Sequence, residues 1–165
     1  MSERRIGIAA SAPTANEVLN NIQRAEESGI PAAWLTTGGT GLDGLTVFAA
    51  AAAQTEKIML GTSITPTFPR HPLVVAQQVQ VLVQLAPGRF RLGIGPSHRP
   101  TMRAMFGIEM KAPLGHLREY IQILKQLLQQ GVVDFDGRYY QAHGSIPAPV
   151  DVPVMASALQ PGSFE

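Results

Sequence analysis

The stretch Arg89-Phe90-Arg91-Leu92-Gly93-Ile94-Gly95-Pro96-Ser97-His98-Arg99-Pro100 decides the fold. Arg89 to Ile94 reads as a buried strand that runs straight into a glycine, a proline, a hydroxyl and an imidazole. Packing does not ask for that set. A ligand held at the carboxyl end of the strand does. The pair Gly93-Ile94-Gly95 resembles a dinucleotide fingerprint, but His98 stands where the third glycine belongs. The first strand-to-helix turn, Ser11-Ala12-Pro13-Thr14, has no glycine at all, and there is no P-loop. An open nucleotide-binding sheet is therefore disfavoured, and a (β/α) barrel is expected.

The flanking sequence alternates strands and helices. Ile6–Ala10 is a first strand, and Thr14 with Glu17 has capping-box spacing for a helix carrying Val18, Ile22 and Ala25 on one face. Gly29 and Pro31 end that helix, and Ala32–Thr36 is a second strand. Asp43 caps an alanine-rich helix, Lys57 to Thr65 forms a third strand, and His71-Pro72 opens a helix with Val75, Val79 and Leu82 aligned. A short polar segment after Pro100 leads to Pro113 and a long helix through Leu117, Ile121, Leu124 and Leu128. Residues 132–144 read as a hairpin insertion turning at Asp136-Gly137, Val152–Ala156 as a fifth strand, and Pro161–Glu165 as the start of another helix.

The chain of 165 residues is 45% hydrophobic, enough for one core. Its 13 basic and 12 acidic side chains give a net charge of +1, so neither nucleic acid nor a membrane is expected as partner. The absence of cysteine excludes disulfides, thiolate metal sites and cysteine nucleophiles. No two histidines have metal-ligand spacing, so no metal is expected. No signal segment or membrane-length apolar run is seen, and a cytoplasmic location is the expectation. A full eight-stranded barrel takes roughly 250 residues. The five strands read here make a partial barrel: the front part of a longer one, or a half that closes against a second chain.

Two segments carry a family resemblance: Leu60-Gly61-Thr62-Ser63-Ile64-Thr65-Pro66 with Arg70-His71-Pro72, and Gly88 through His98. They resemble the luciferase-like monooxygenase superfamily, in its branch that uses the deazaflavin coenzyme F420. The helix around His116–Tyr120 and the hairpin Phe135–Tyr140 agree with it. The resemblance implies a (β/α)8 TIM barrel of which residues 1–165 form the N-terminal part. It implies a bulge in strand three behind the flavin ring, with a cis peptide at Ser63-Ile64. It places coenzyme F420, or alternatively FMN, against Thr36, Thr62, Ser63, Ile64, Thr65, Gly93, Gly95 and Pro96. His98 and Ser97 would supply a proton or polarise the acceptor, since an imidazole beside a strand end suits acid work.

The implied reaction moves a hydride between reduced F420 and a small organic substrate. Alternatives are an FMN-dependent monooxygenase of the same fold and a non-catalytic, truncated half-barrel. A homo-oligomer or a complementary half-barrel chain is the expected protein partner. Relatives close strand two with an aspartate–histidine pair where this chain has Thr36-Thr37, and strands six to eight are absent from it. Outside the site, Trp34 is expected in the core, His116 at a helix surface, and Arg70 either on an anionic ligand or in solvent.

Overall fold

The computed structural model describes residues 6–157. The segment Pro161–Glu165, read above as the start of a helix, lies outside the described residues. The strands are β1 (Gly7–Ala9), β2 (Ala32–Leu35), β3 (Met59–Thr62), β4 (Thr65–Pro66), β5 (Phe90–Gly95), β6 (Val132–Asp136), β7 (Gln141–Ser145) and β8 (Val154–Ala156). The helices are α1 (Ala15–Glu27), α2 (Gly44–Ala52), α3 (Pro72–Leu85), α4 (Arg99–Phe106) and α5 (Pro113–Lys125), which runs on into one π turn over Gln126–Gln130.

All pairing in the main sheet is parallel, in the order β1-β2-β3-β5, with β4 and β8 also on β5. Because β4 continues β3 past a break, this makes five barrel staves. Among the described residues β1 pairs only with β2, and β8 only with β5. One face of the sheet lies under the helices. Ala33, Leu35, Leu60, Phe90, Leu92 and Ile94 bury there against Ile22, Phe48, Val79 and Leu124. Burying each large apolar side chain stabilises the fold by about 1.5–3 kcal/mol. The other face is concave. The Trp34 indole lies across it, over Gly7 and Gly61, where a Cβ on either glycine would overlap the ring. Trp34 is therefore only half-buried, and not the core residue the sequence suggested.

Local signals explain the helix starts. Thr14 Oγ1 accepts from Glu17 N at 3.3 Å while Thr14 N donates to Glu17 Oε2 at 3.1 Å, a complete capping box. Asp43 caps α2 through Thr46 N, and His71 Nδ1 accepts from Leu73 N with Pro72 in the first turn of α3. Beneath the sheet, Glu26 Oε1 accepts from the backbone N–H groups of Glu56, Lys57 and Ile58 at 2.6–3.0 Å. Burial works against that charge, but the three donors hold its pKa below the ordinary carboxylate value.

Two readings need correction. The polar segment after Pro100 is a helix, α4, with Met102 fully buried. The hairpin does not turn in two residues at Asp136-Gly137. Asp136 pairs with Gln141, so the loop is 137–140 and the returning strand is β7. The cause is Glu119 on α5, whose carboxylate accepts from Arg138 N, Tyr139 N and Tyr140 N at 2.8–3.1 Å and holds the wider loop open. Its pKa is lowered by these bonds against the opposing effect of burial.

Candidate active site at the carboxyl ends of the strands

The strand-three bulge is present and can be counted. Gly61 pairs with Arg91 and Thr65 with Ile94, so β3–β4 spends four residues where β5 spends three. The Ser63-Ile64 peptide bond lies inside that bulge and is cis. Strand two holds it from one side: Thr36 Oγ1 donates to Ser63 O at 2.6 Å, Ser63 N donates to Leu35 O at 2.9 Å, and Thr37 N donates to Ile64 O at 3.2 Å. Strand β5 holds it from the other, through Thr67 N to Gly95 O at 2.9 Å.

The residues proposed from sequence divide into two groups. Thr36, Ser63, Ile64, Pro96, Ser97 and His98 are at least partly exposed and lie on neighbouring strand ends. Gly95 is buried, but a Cβ there would overlap Ser157 Oγ and sit 3.3 Å from Ile64 Cγ1, so the three residues meet at the strand ends. Ser97 has φ 66°, one of two non-glycine residues with positive φ among the described residues, and it turns the chain into α4. His98 is the N-cap of α4, yet its side chain makes no capping hydrogen bond and is exposed.

Thr62, Thr65 and Gly93 form the second group, and their side of the strands is buried. Thr62 is 1% and Thr65 0% exposed. The Thr62 hydroxyl is spent on Gly93, accepting from its N at 2.8 Å and donating to its O at 2.7 Å. Gly93 is a glycine because a Cβ would overlap the Thr62 carbonyl. These residues build the wall behind the mouth.

Other corrections sit at the rim. Arg70, partly exposed, pairs with Asp43 at 2.6 Å and ties the loop after the bulge to the start of α2. Burial opposes the Asp43 charge, while Thr46 and Arg70 lower its pKa. His116 is not a surface residue. It stacks on Phe68 with ring centres 4.0 Å apart and planes within 6°, and its Nδ1 lies 3.0 Å from Tyr140 Oη. Burial pushes its pKa down, with Glu119 opposing. Tyr140 packs edge-on against His71 and Tyr120, and burial raises the phenol pKa of both tyrosines. This aromatic group fastens the loop after β4 to α5. Across the mouth, Met105 of α4 reaches Gly39 in the β2–α2 loop, with its sulfur 3.0 Å from where a Cβ would stand.

Sequence reasoning missed Ser157. A lone serine past the end of a short strand gave no signal. Only the pairing of β8 with β5 brings it beside Gly95.

The family model for luciferase-like monooxygenases matches residues 1–165. The chain belongs to the luciferase-like monooxygenase family. Among relatives of this luciferase-like chain, the F420-dependent glucose-6-phosphate dehydrogenase of Nocardia farcinica is 35% identical over 165 residues, covering 88% of this chain and 48% of that protein. The protein of the same description from Beutenbergia cavernae is 41% identical over 126 residues, covering 73% and 37%. The luciferase-like chain thus spans about half the length, or less, of these relatives.

In solved structures, the coenzyme F420-dependent tetrahydromethanopterin reductase of Methanopyrus kandleri superposes with TM-score 0.82 at 25% identity, over 96% of this chain and 51% of its own. An F420-dependent secondary alcohol dehydrogenase, in complex with an F420-acetone adduct, gives 0.86 at 22%, over 96% and 53%. A type II Baeyer-Villiger monooxygenase from Pseudomonas putida, in complex with FMN, gives 0.71 at 23%, over 81% and 39%. The last two speak to the fold alone. Among the described residues, no helix is long and apolar enough to cross a membrane.

Proposed function

We propose that this chain forms the ring-binding half of an F420-dependent oxidoreductase acting on a small organic substrate. The observation that carries the reading is the convergence of Ile64, Gly95 and Ser157 at the mouth, with the strand-three bulge behind them. The residues fit a flat, polar-edged ring. Ile64 offers a partly exposed apolar side chain, Gly95 offers no side chain, and Ser63 and Ser97 are exposed or partly exposed beside them. The relatives described as F420-dependent favour the deazaflavin over FMN.

When bound, the deazaflavin supplies the hydride-carrying carbon. The chain's own residues do the rest. The bulge supports one face of the ring and leaves the other to the substrate. Thr36 keeps the Ser63 carbonyl fixed at 2.6 Å, so the support does not shift. His98, with no helix-capping duty, presents its imidazole to the substrate oxygen and gives up or takes a proton there. Met105 and α4 cover part of the mouth and limit water.

The test is a titration of the chain with F420 and, separately, with FMN, followed by ligand fluorescence. Saturable binding of F420, tighter than of FMN, is expected. Binding of neither overturns the reading, and tighter FMN binding moves the chain to the monooxygenase branch.

A second reading has its own support. Both edges of the described sheet, β1 and β8, offer unpaired backbone in parallel orientation. A half-barrel that completes itself against another polypeptide would use them. Sedimentation decides this: a monomer that unfolds in one cooperative step counts against it.

A further inference from the structure

We infer that the hollow of the sheet is a docking surface for a strand-bearing segment that is not a copy of this chain, and that this segment brings a carboxylate to Arg91. The inference rests on the half-barrel reading above and names the chemistry of the partner.

The layer is set by register. Ala9 pairs with Trp34, Trp34 with Gly61 and Gly61 with Arg91, so the four stand side by side across β1, β2, β3 and β5. Phe90 and Leu92 are buried in the core under the helices, and alternate residues of a strand change face, so Arg91 belongs to the hollow. Trp34 shares that face, with its ring over Gly61. Arg91 is four residues nearer the amino end than Gly95, about 13 Å below the mouth. A cavity of about 650 Å³ opens at the amino ends of the staves, with Lys57, Met59 and Arg91 in its wall.

The other charges of that cavity have partners, and Arg91 is left over. Arg89 donates to Ile58 O at 3.0 Å and to Thr55 O at 2.9 Å. Glu26 is taken by the three backbone N–H groups already described. Among the described residues, Arg91 makes no ion pair and no side-chain hydrogen bond. It is the one charged side chain on the strands of the main sheet, and none of those strands carries an aspartate or glutamate.

Covering this face takes the guanidinium out of water, and a buried charge is costly unless it is paired. The arginine fork fits a carboxylate through two parallel hydrogen bonds. A second copy of the chain has none to offer. It would present the same acid-free staves and set a second Arg91 in the same hollow, where like charges repel. The open edges β1 and β8 give the occupant its place, in parallel orientation. Arg91 requires of it an inward aspartate or glutamate in the layer of Trp34.

Trp34 is the only tryptophan of the chain and stands in this layer, so its emission reports cover over the hollow. The probe is a strand-forming peptide of alternating threonine and valine with one central glutamate, and its control carries glutamine there. The full chain should bind the glutamate peptide about five- to tenfold more tightly than the control at low salt, with Trp34 emission moving to shorter wavelength. That preference should shrink at high salt. Arg91→Gln alters a partly exposed side chain and should keep the wild-type thermal midpoint, yet bind both peptides alike. Wild type alone should sediment without self-association that shifts Trp34 emission. Equal binding of the two peptides, a preference that survives in Arg91→Gln, or self-association that covers Trp34 overturns the inference. With equal binding the half-barrel reading survives, because the edges still take a strand. Binding of neither peptide also overturns the inference, and if the chain is then a monomer that unfolds in one cooperative step, the reading falls with it.

Discussion

The hydroxyl of Thr36 donates to the carbonyl of Ser63 at 2.6 Å, joining the ends of the second and third staves at the point where the third departs from regular pairing. The sequence suggested that Thr36 would touch the coenzyme in place of an acidic residue. Its hydrogen is committed to the backbone, so the hydroxyl fixes the Ser63 carbonyl and keeps only its acceptor side free.

Thr36→Val should therefore cost stability at the low end of the hydrogen-bond range, about 0.5–1 kcal/mol, because water can reach the freed carbonyl. Thr36→Ser, which keeps the hydroxyl, should recover most of it. Urea unfolding of the two variants checks this. Equal stability of both would show that the bond does not hold the bulge.

Two threonines of the same strand should respond oppositely to one substitution. Thr62→Val leaves the buried N–H and C=O of Gly93 without their partner, at a cost of about 2–4 kcal/mol. Thr65→Val removes a hydroxyl that is buried and has no hydrogen-bond partner, so it should be neutral or stabilising. Thermal midpoints settle the pair. A shift of about 2–4 °C per kcal/mol applies at this chain length.

Glu119→Ala should loosen the loop at 137–140 by removing the acceptor of three backbone donors. The expected sign is a lower midpoint and faster amide exchange at Arg138, Tyr139 and Tyr140. The folded pKa of Glu119 is depressed. Its contribution is thus present above the unfolded carboxylate value and lost as pH falls through the folded one. In the variant, that part of the acid sensitivity disappears.

His116 and His143 should give opposite pH slopes. Burial lowers the folded pKa of His116, so the unfolded chain binds its proton more readily, and stability falls as pH drops below about 6.5. His143 hydrogen-bonds Asp134 at 2.7 Å, which raises its pKa, with Asp136 nearby adding to the effect. Its contribution is present below the unfolded value and lost as pH rises through the folded one. In a His143→Asn background, His116→Phe should flatten the fall in stability on the acid side. An unchanged slope would show that another group carries it.

Features governed by near neighbours could be read from the sequence. The Thr14–Glu17 box, the Asp43 cap and the His71-Pro72 start are local, and each stands where the sequence placed it. The five staves followed from runs bounded by turn residues. What failed depended on partners far along the chain. Asp136-Gly137 looks like a tight turn until Glu119 competes for the backbone beyond it. His116 looks solvated until Phe68 arrives from the loop after β4. The helix α4 hid because it has few apolar residues and one buried anchor, Met102. Within the mouth, strand ends identified the neighbourhood, but not which hydroxyls were already committed to the wall.

The extra residue between Gly61 and Thr65 works as a change of phase. Counted by twos, Thr65 would stand on the same side as Gly61, in the open hollow with Trp34. One added residue turns it under, into register with Ile94 and into full burial, while Ile64 comes up in its place. The stave thus has two grammars, one below the break and another above it. Deleting a single residue there, such as Ser63, would leave three steps against three, so the bulge would vanish while Thr65 kept its register with Ile94 and its buried side.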